Sequence, residues 1–170
     1  MSKIKIYLVA KYRSKYVIGY AMGYKITPVK IYGIENSKIN SAVVEKSELT
    51  GCKILPLHLA RISKIEQEEM LNSLFAVIKY RQHKYLDLIN NATIINPLTK
   101  LHFYDRLRGV GPNTKLKIIQ QKKIEKFKSY QDFKSRTGKS LPNIILDTIK
   151  YQTYAGISAE QRILTSIYHE

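Results

Sequence analysis

The chain has 170 residues, of which 44% are hydrophobic, enough for one full core or two small ones. Its formal net charge of +16 is far more than a domain of this size needs for solubility, so we expect a polyanionic partner, with nucleic acid first. No secretory signal and no apolar run of membrane-spanning length is recognisable, and Cys52 is the single cysteine, so we expect a cytoplasmic protein with no membrane partner and no disulfide.

The first 46 residues have the composition of β-strands. Segments rich in Val, Ile and Tyr cover residues 4–12, 16–26, 29–34 and 41–46. Four or five short strands are too few for a two-sheet sandwich. We therefore predict a small OB-like β-barrel or sheet over residues 1–60.

Helical periodicity begins after Pro56. Ser63 and Glu66 have the spacing of a capping box, which predicts the start of a helix with an apolar stripe from Ile65 through Ile78. A second helical run covers residues 84–92, and the pattern leaves open whether the two are continuous. We predict a helical connector over residues 61–92.

Residues 93–170 are predicted to form a tandem helix-hairpin-helix domain, which makes the fold class α+β. The expected helices cover residues 97–107, 112–123, 129–136 and 143–152, and one more helix starts at Ser158. The first hairpin turn contains Gly109 and Gly111, and the second runs through residues 137–142.

The glycine turn at residues 108–114 is the strongest candidate site. Both glycines can adopt positive φ, and Pro112 suits the first position of a helix. The amides of Asn113 and Thr114 then lie at the positive end of that helix, where they can bind a phosphate. The alternative is a tight helical connection that binds nothing.

Two basic blocks supply nearly all of the net charge. Residues 1–34 contain seven Lys and Arg and no acid, and residues 108–139 contain ten against two acids. Two acid-poor blocks on two folds argue for a shared ligand. The predicted nucleic-acid-binding residues are Arg108, Gly109, Val110, Gly111, Asn113, Thr114, Lys115, Lys117, Lys122, Lys123, Lys126, Lys128, Arg136 and Lys139 in the second block, with Lys11, Arg13 and Lys15 in the first.

Tyrosines interleave with these cations in the N-terminal region. Such a pattern fits a base-stacking platform, although tyrosine is also a good strand former and ordinary strand packing is favoured. The tyrosines concerned are Tyr7, Tyr12, Tyr16, Tyr20, Tyr24 and Tyr32.

Two resemblances follow from these residues. Leu107, Val110, Pro112 and Thr114 stand where the helix-hairpin-helix motif of non-sequence-specific nucleic-acid-binding proteins has them. The longer run from Asn90 resembles the C-terminal half of the archaeal domain-of-unknown-function family numbered 655, through Asn90–Ala92, Leu101–His102, Leu107–Gly111, Phe127–Asp132 and Arg136. That resemblance implies an OB-like domain followed by paired helix-hairpin-helix units, a role in nucleic-acid binding, and a preference for ribosomal RNA.

We expect no catalysis, cofactor, small-molecule substrate or metal. Residues 137–140 imitate the end of a P-loop, but Phe133 occupies the position of its first glycine. DNA glycosylases also contain this hairpin, but Asn113 stands where their bifunctional members have a Schiff-base lysine. The four histidines lack the spacing of zinc ligands.

The sequence therefore predicts a non-enzymatic binding protein that prefers RNA and has the ribosome, through ribosomal RNA, as a candidate partner. Duplex DNA stays open as the ligand. So does a different class, in which the β-domain docks a protein of the translation or transcription machinery.

Overall fold

The computed structural model describes residues 3–12, 15–34, 43–154 and 164. Its fold is mixed α+β, as predicted, and its contacts divide the chain into two compact units. The first contains the described residues up to Ser73 and those from Gln152 onward, and the second is Leu74–Tyr151. The domain bounds expected at residues 60 and 92 stay a prediction.

The first unit contains a five-stranded antiparallel sheet. Its strands are β1 (Lys5–Tyr12), β2 (Tyr16–Met22), β3 (Ile26–Tyr32), β4 (Val43–Glu45) and β5 (Lys53–Pro56). They lie in the order β4-β1-β2-β3-β5. The first four overlap the strands predicted from composition, but the turn between β2 and β3 lies at residues 23–25, which the prediction had placed inside a strand. Strand β5 was not predicted.

The sheet is covered on both faces at β2, where Ile18 and Tyr20 are buried on one face. The other face carries an apolar cluster. Its buried members come from all five strands and the 3-10 helix Lys46–Leu49: Ile6, Leu8, Val17, Ala21, Val29, Ile31, Val44, Leu49 and Ile54. Gly19 pairs with Leu8, and a Cβ at Gly19 would lie 2.4 Å from the carbonyl oxygen of Tyr7. The close approach of β1 to β2 therefore requires glycine at this position.

Two of the tyrosines proposed for base stacking pack inside the first unit. Tyr20 is buried and its hydroxyl donates to the carbonyl oxygen of Met70 at 2.7 Å. The Tyr16 hydroxyl donates to the Glu66 carboxylate at 2.6 Å, and the Tyr16 and Tyr32 ring centres are 5.6 Å apart. Tyr16 and Tyr20 are therefore engaged within the protein, so a stacking platform that includes them is wrong. The side chain of Tyr12 lies outside the described part.

Helix α1 (Lys64–Tyr80) begins where the capping pattern placed it. The Ser63 Oγ accepts from the amide of Glu66 at 3.3 Å. The expected stripe includes the buried Met70, Leu74, Val77 and Ile78, but Ile65 is 66% exposed, so its inclusion was wrong. Helix α2 (Gln82–Asn90) is a separate helix, because the backbone at Arg81 leaves helical geometry (φ −96°, ψ 23°).

The second unit then forms a β-hairpin where a helix was predicted over residues 97–107. Strand β6 (Ile94–Asn96) pairs with β7 (Leu101–His102), and a short 3-10 helix follows at Phe103–Arg106. The physical reason is local: Ile94 and Ile95 are β-branched, and Pro97 pushes Asn96 into an extended conformation.

Three helices complete the unit. They are α3 (Pro112–Ile124), α4 (Tyr130–Thr137) and α5 (Leu141–Tyr154), in agreement with the predicted positions. Ile118, Phe133 and Ile145 of these helices are buried. Tyr104 is buried in the same unit, and its hydroxyl donates to the carbonyl oxygen of Ile89 at 2.6 Å. The helix expected from Ser158 lies outside the described residues.

Candidate nucleic-acid interface

The two glycines of the turn before α3 have different conformations. Gly109 has φ +78°, in the left-handed region that favours glycine. Gly111 has φ −82° and ψ 179°, an extended conformation that any residue adopts, so positive φ, one of the two reasons considered for a glycine at this position, does not apply. Between them, the half-buried Val110 contributes packing.

Gly111 is also free of steric demands from the protein. A Cβ built on Gly111 meets no heavy atom within 4 Å in the described part of the chain. Neither the backbone conformation nor packing therefore explains a glycine here. Glycine is among the residue types favoured at a helix N-cap, and it also leaves room for a ligand to approach the backbone closely.

The start of α3 lacks a side-chain cap. Gly111 occupies the N-cap position, its carbonyl accepts the first helical bond from Lys115 at 2.9 Å, and Pro112 follows as the first helical residue. The amides of Asn113 and Thr114 lie in the first turn, and the N-cap residue offers no side-chain oxygen to which they could donate. They are the donors that were predicted to bind a phosphate.

The second turn shares a left-handed glycine with the first and differs from it at the N-cap position. Gly138 has φ +75°, close to the value at Gly109, and Ser140 then takes the position that Gly111 has in the first turn. The Ser140 hydroxyl accepts from the amide of Asn143 at 3.5 Å, a long bond. The N-terminus of α5 is thus capped by a side chain of its own N-cap residue, whereas the N-terminus of α3 has no such side chain.

Several predicted site residues are engaged within the protein. Lys115 Nζ lies 2.8 Å from Asp105 Oδ1, and this bond holds the pKa of the Asp105 carboxyl below its usual value. Lys122 Nζ donates to the carbonyl oxygen of Ala92 at 3.1 Å and lies 5.2 Å from the centre of the Tyr104 ring. Burial lowers the pKa of Lys122.

Arg136 joins the end of α3 to α4. Its guanidinium donates to the carbonyl oxygens of Gln121 and Glu125, the latter at 2.7 Å, and lies 3.2 Å from Asp132 Oδ2. It also stacks over the Phe127 ring at 4.6 Å. The Asp132 carboxylate accepts from the amide of Lys128, which lowers the pKa of Asp132. Arg136 is accordingly placed as a structural cation.

Four of the predicted lysines remain available to a ligand. Lys117, Lys123, Lys126 and Lys139 are exposed, and none of them has a carboxylate partner among the described residues. Helical spacing places Lys117 on the same face of α3 as Asn113, and Lys123 is exposed in the last turn of the helix. Lys128 is exposed too, but it pairs with Glu125 at 2.6 Å.

Arg108 is positioned by a distant helix. Its amide donates to Thr148 Oγ1 at 2.9 Å, and its guanidinium lies 4.3 Å from the centre of the Tyr151 ring. Thr148 and Tyr151 were not predicted as part of the site. They lie about 40 residues further along the chain, and no local pattern announces the contact.

The N-terminal cations are placed only in part. Lys15 is exposed at the turn between β1 and β2. Arg13 and the side chain of Lys11 lie outside the described part.

Neither a metal cluster nor a membrane helix is found in the described residues. They contain no group of three or more His, Cys, Asp or Glu side chains that could hold an ion. His102 acts as a cap instead: its Nδ1 accepts from the amide of Tyr104 at 3.1 Å, and burial lowers its pKa. No helix in the same described residues is long and apolar enough to cross a membrane.

Comparison with known proteins identifies the family. A family model described as a protein of unknown function, DUF655, matches residues 29–157, which is most of the chain. The chain belongs to the DUF655 family. The resemblance seen in the residues from Asn90 onward is thereby confirmed.

Two similar proteins come from archaea. The uncharacterized protein MJ0038 of Methanocaldococcus jannaschii is 28% identical over 99 residues, which cover 55% of this chain and 45% of the relative. The match thus spans less than half the length of that relative. The crystal structure of Af1531, a DUF655 protein of Archaeoglobus fulgidus, superposes with a TM-score of 0.60 at 15% identity, over 92% of this chain and 97% of that one. At this identity the likeness concerns the fold of the two proteins.

Proposed function

We propose that this DUF655 protein is a non-enzymatic, cytoplasmic nucleic-acid-binding protein that seats a backbone phosphate at the start of α3. RNA is the preferred ligand, with ribosomal RNA as the leading case. The proposal needs no cofactor, because binding rests on backbone amides and lysines alone.

The observation that carries the proposal is the open N-terminus of α3. A helix N-terminus with uncapped amides favours an anion. Here Gly111 leaves the approach clear, and the exposed Lys117 and Lys123 follow on the same helix. The equivalent position in the second turn carries Ser140, whose hydroxyl supplies its own acceptor.

The finer description of both units belongs to the same proposal. Two helix entries with left-handed glycines of nearly equal φ support a tandem helix-hairpin-helix domain, although a 3-10 helix takes the place of the first α-helix. Five antiparallel strands match the strand number of an OB barrel. We propose an OB-like character for the sheet on that basis.

The decisive experiment is Gly111→Val. The φ of −82° and the open space around Gly111 allow a branched side chain, so the variant should fold with unchanged helical content. The added methyl groups would block a phosphate, so we expect the binding free energy to weaken by about 1–3 kcal/mol, the scale of a few charge-assisted hydrogen bonds. Circular dichroism and a titration with a structured RNA measure both quantities.

The matched control is Ser140→Val, which places the same side chain at the equivalent position of the second turn. It removes a cap, so the free energy of unfolding should fall by about 1 kcal/mol while RNA affinity stays unchanged. A folded Gly111→Val protein with wild-type affinity would refute the phosphate seat.

A further inference from the structure

The β6–β7 hairpin presents large apolar side chains to solvent. Ile94 is 53% exposed, Ile95 is 46% exposed and Leu98, at the tip, is 95% exposed. A single exposed apolar residue is ordinary, but three on one short hairpin form a patch that suits a binding contact. The uncapped α3 site does not use any of them.

The tip is held in a defined shape. Asn96 Oδ1 accepts from the amides of Leu98 at 3.0 Å and Thr99 at 3.4 Å, and Lys100 has φ +54°. At the base, the amide of Phe103 donates to the carbonyl oxygen of Thr93 at 3.1 Å. Lys122 Nζ also binds the carbonyl oxygen of Ala92. The backbone at Leu98 is therefore presented at a defined place on the second unit, so little loop entropy would be lost on binding.

The charge around the hairpin selects its partner. Residues 88–128 contain nine Lys and Arg against two acids, and residues 88–104 contain no acid. A second copy of a chain with a net charge of +16 would be repelled. A nucleic acid supplies both phosphates for the cations and apolar base faces for the leucine.

We propose that the hairpin inserts Leu98 between bases at a loop or distorted pair of the bound RNA. This inference rests on the proposed function and adds a contact with the bases to the contact with the backbone. Apolar wedges of Leu, Ile or Phe unstack a base step in this way, and the cost is lowest where pairing is already interrupted. The proposal therefore specifies the ligand as structured RNA with interrupted pairing.

The test uses an RNA stem interrupted by an internal loop, with 2-aminopurine as the base next to the loop. Stacking quenches this fluorophore, so we expect wild-type protein to raise its fluorescence. Leu98→Ser should abolish the rise and weaken affinity about tenfold, on the scale of burying a leucine side chain. Because no phosphate contact is lost, the slope of log affinity against log salt should stay unchanged. Leu98→Met should retain the wild-type signal.

The control is Ile65→Ser, which removes a 66% exposed apolar side chain from α1 and should change neither affinity nor fluorescence. Wild-type affinity and fluorescence in Leu98→Ser would overturn the wedge while leaving the phosphate seat intact. A wild-type protein that does not bind the RNA would overturn both proposals. Leu98→p-benzoylphenylalanine should give nuclease-sensitive adducts on irradiation in extract, and a protein adduct would also overturn the wedge.

Discussion

At the scale of single residues, the structure separates cations that hold the protein together from cations that face solvent. The sequence shows ten Lys and Arg between residues 108 and 139 as one basic block. In the fold, Lys115 pairs with Asp105, Lys122 caps the carbonyl of Ala92, and Arg136 binds the end of α3. Those contacts join residues 10 to 30 positions apart, so no local pattern in the sequence reveals them.

Arg136→Ala should therefore lower stability more than affinity. The variant loses hydrogen bonds to the carbonyl oxygens of Gln121 and Glu125 and the ion pair with Asp132, so we expect the free energy of unfolding to fall by about 1–3 kcal/mol. Urea denaturation measures the change. Arg136→Lys should recover little of it, since an ammonium cannot reproduce the planar fork.

The exposed neighbour Lys139 provides the comparison for this experiment. Lys139→Ala should change the free energy of unfolding by less than about 0.5 kcal/mol. If Arg136→Ala had the same urea midpoint as the wild-type protein and yet bound RNA more weakly, Arg136 would have to be counted among the residues that contact RNA.

At the scale of elements, helix predictions succeeded where caps and periodicity agreed. Ser63 marks the start of α1, because its hydroxyl accepts from a first-turn amide, and Pro112 marks the start of α3, because its fixed φ suits the first helical position. The failure over residues 97–107 came from giving the apolar spacing more weight than Ile94, Ile95 and Pro97, whose β-branching and proline chemistry favour a hairpin. Strand β5 is four residues long, and its pairing with β3 depends on a contact that only the fold creates.

The exposed lysines of α3 and the segment after it should dominate the electrostatic part of binding. Replacing Lys117, Lys123 and Lys126 together by Gln removes three unpaired charges, so the slope of log affinity against log salt should decrease in magnitude by about 2–3. Fluorescence anisotropy over a salt series gives the slopes.

A second triple variant with the same loss of charge isolates position from net charge. Lys53, Lys64 and Lys79 are exposed lysines outside both basic blocks, and their replacement by Gln should leave the slope close to wild type. Equal flattening in both triple variants would mean that the protein binds through its overall charge and has no localised interface.

At the scale of the whole molecule, a net charge of +16 lies on two compact units with separate cores. Composition predicted the charge and the α+β class, and the family model matches across both units. What composition cannot express is the difference between two turns that share a left-handed glycine. That difference depends on a hydroxyl at Ser140 and its absence at Gly111.

Nuclease treatment of complexes formed by the intact chain distinguishes between RNA, DNA and a protein as its partner. Recovery of the protein with ribosomal particles from native extract should be lost after ribonuclease treatment and kept after deoxyribonuclease treatment, because phosphates of RNA are the expected contacts. Complexes that survive both nucleases would instead favour docking to a protein of the translation or transcription machinery.

Gly19 and Gly111 would behave differently in a saturation-mutagenesis library sorted twice. At Gly19 any side chain collides with the backbone of the neighbouring strand, so substitutions should disappear when the library is selected for protease resistance alone. At Gly111 an added Cβ meets no atom of the described residues within 4 Å, so substitutions should pass that selection and disappear only when the same library is selected for retention on RNA. A glycine whose intolerance appears only in the second selection marks the place where something other than the protein occupies the space.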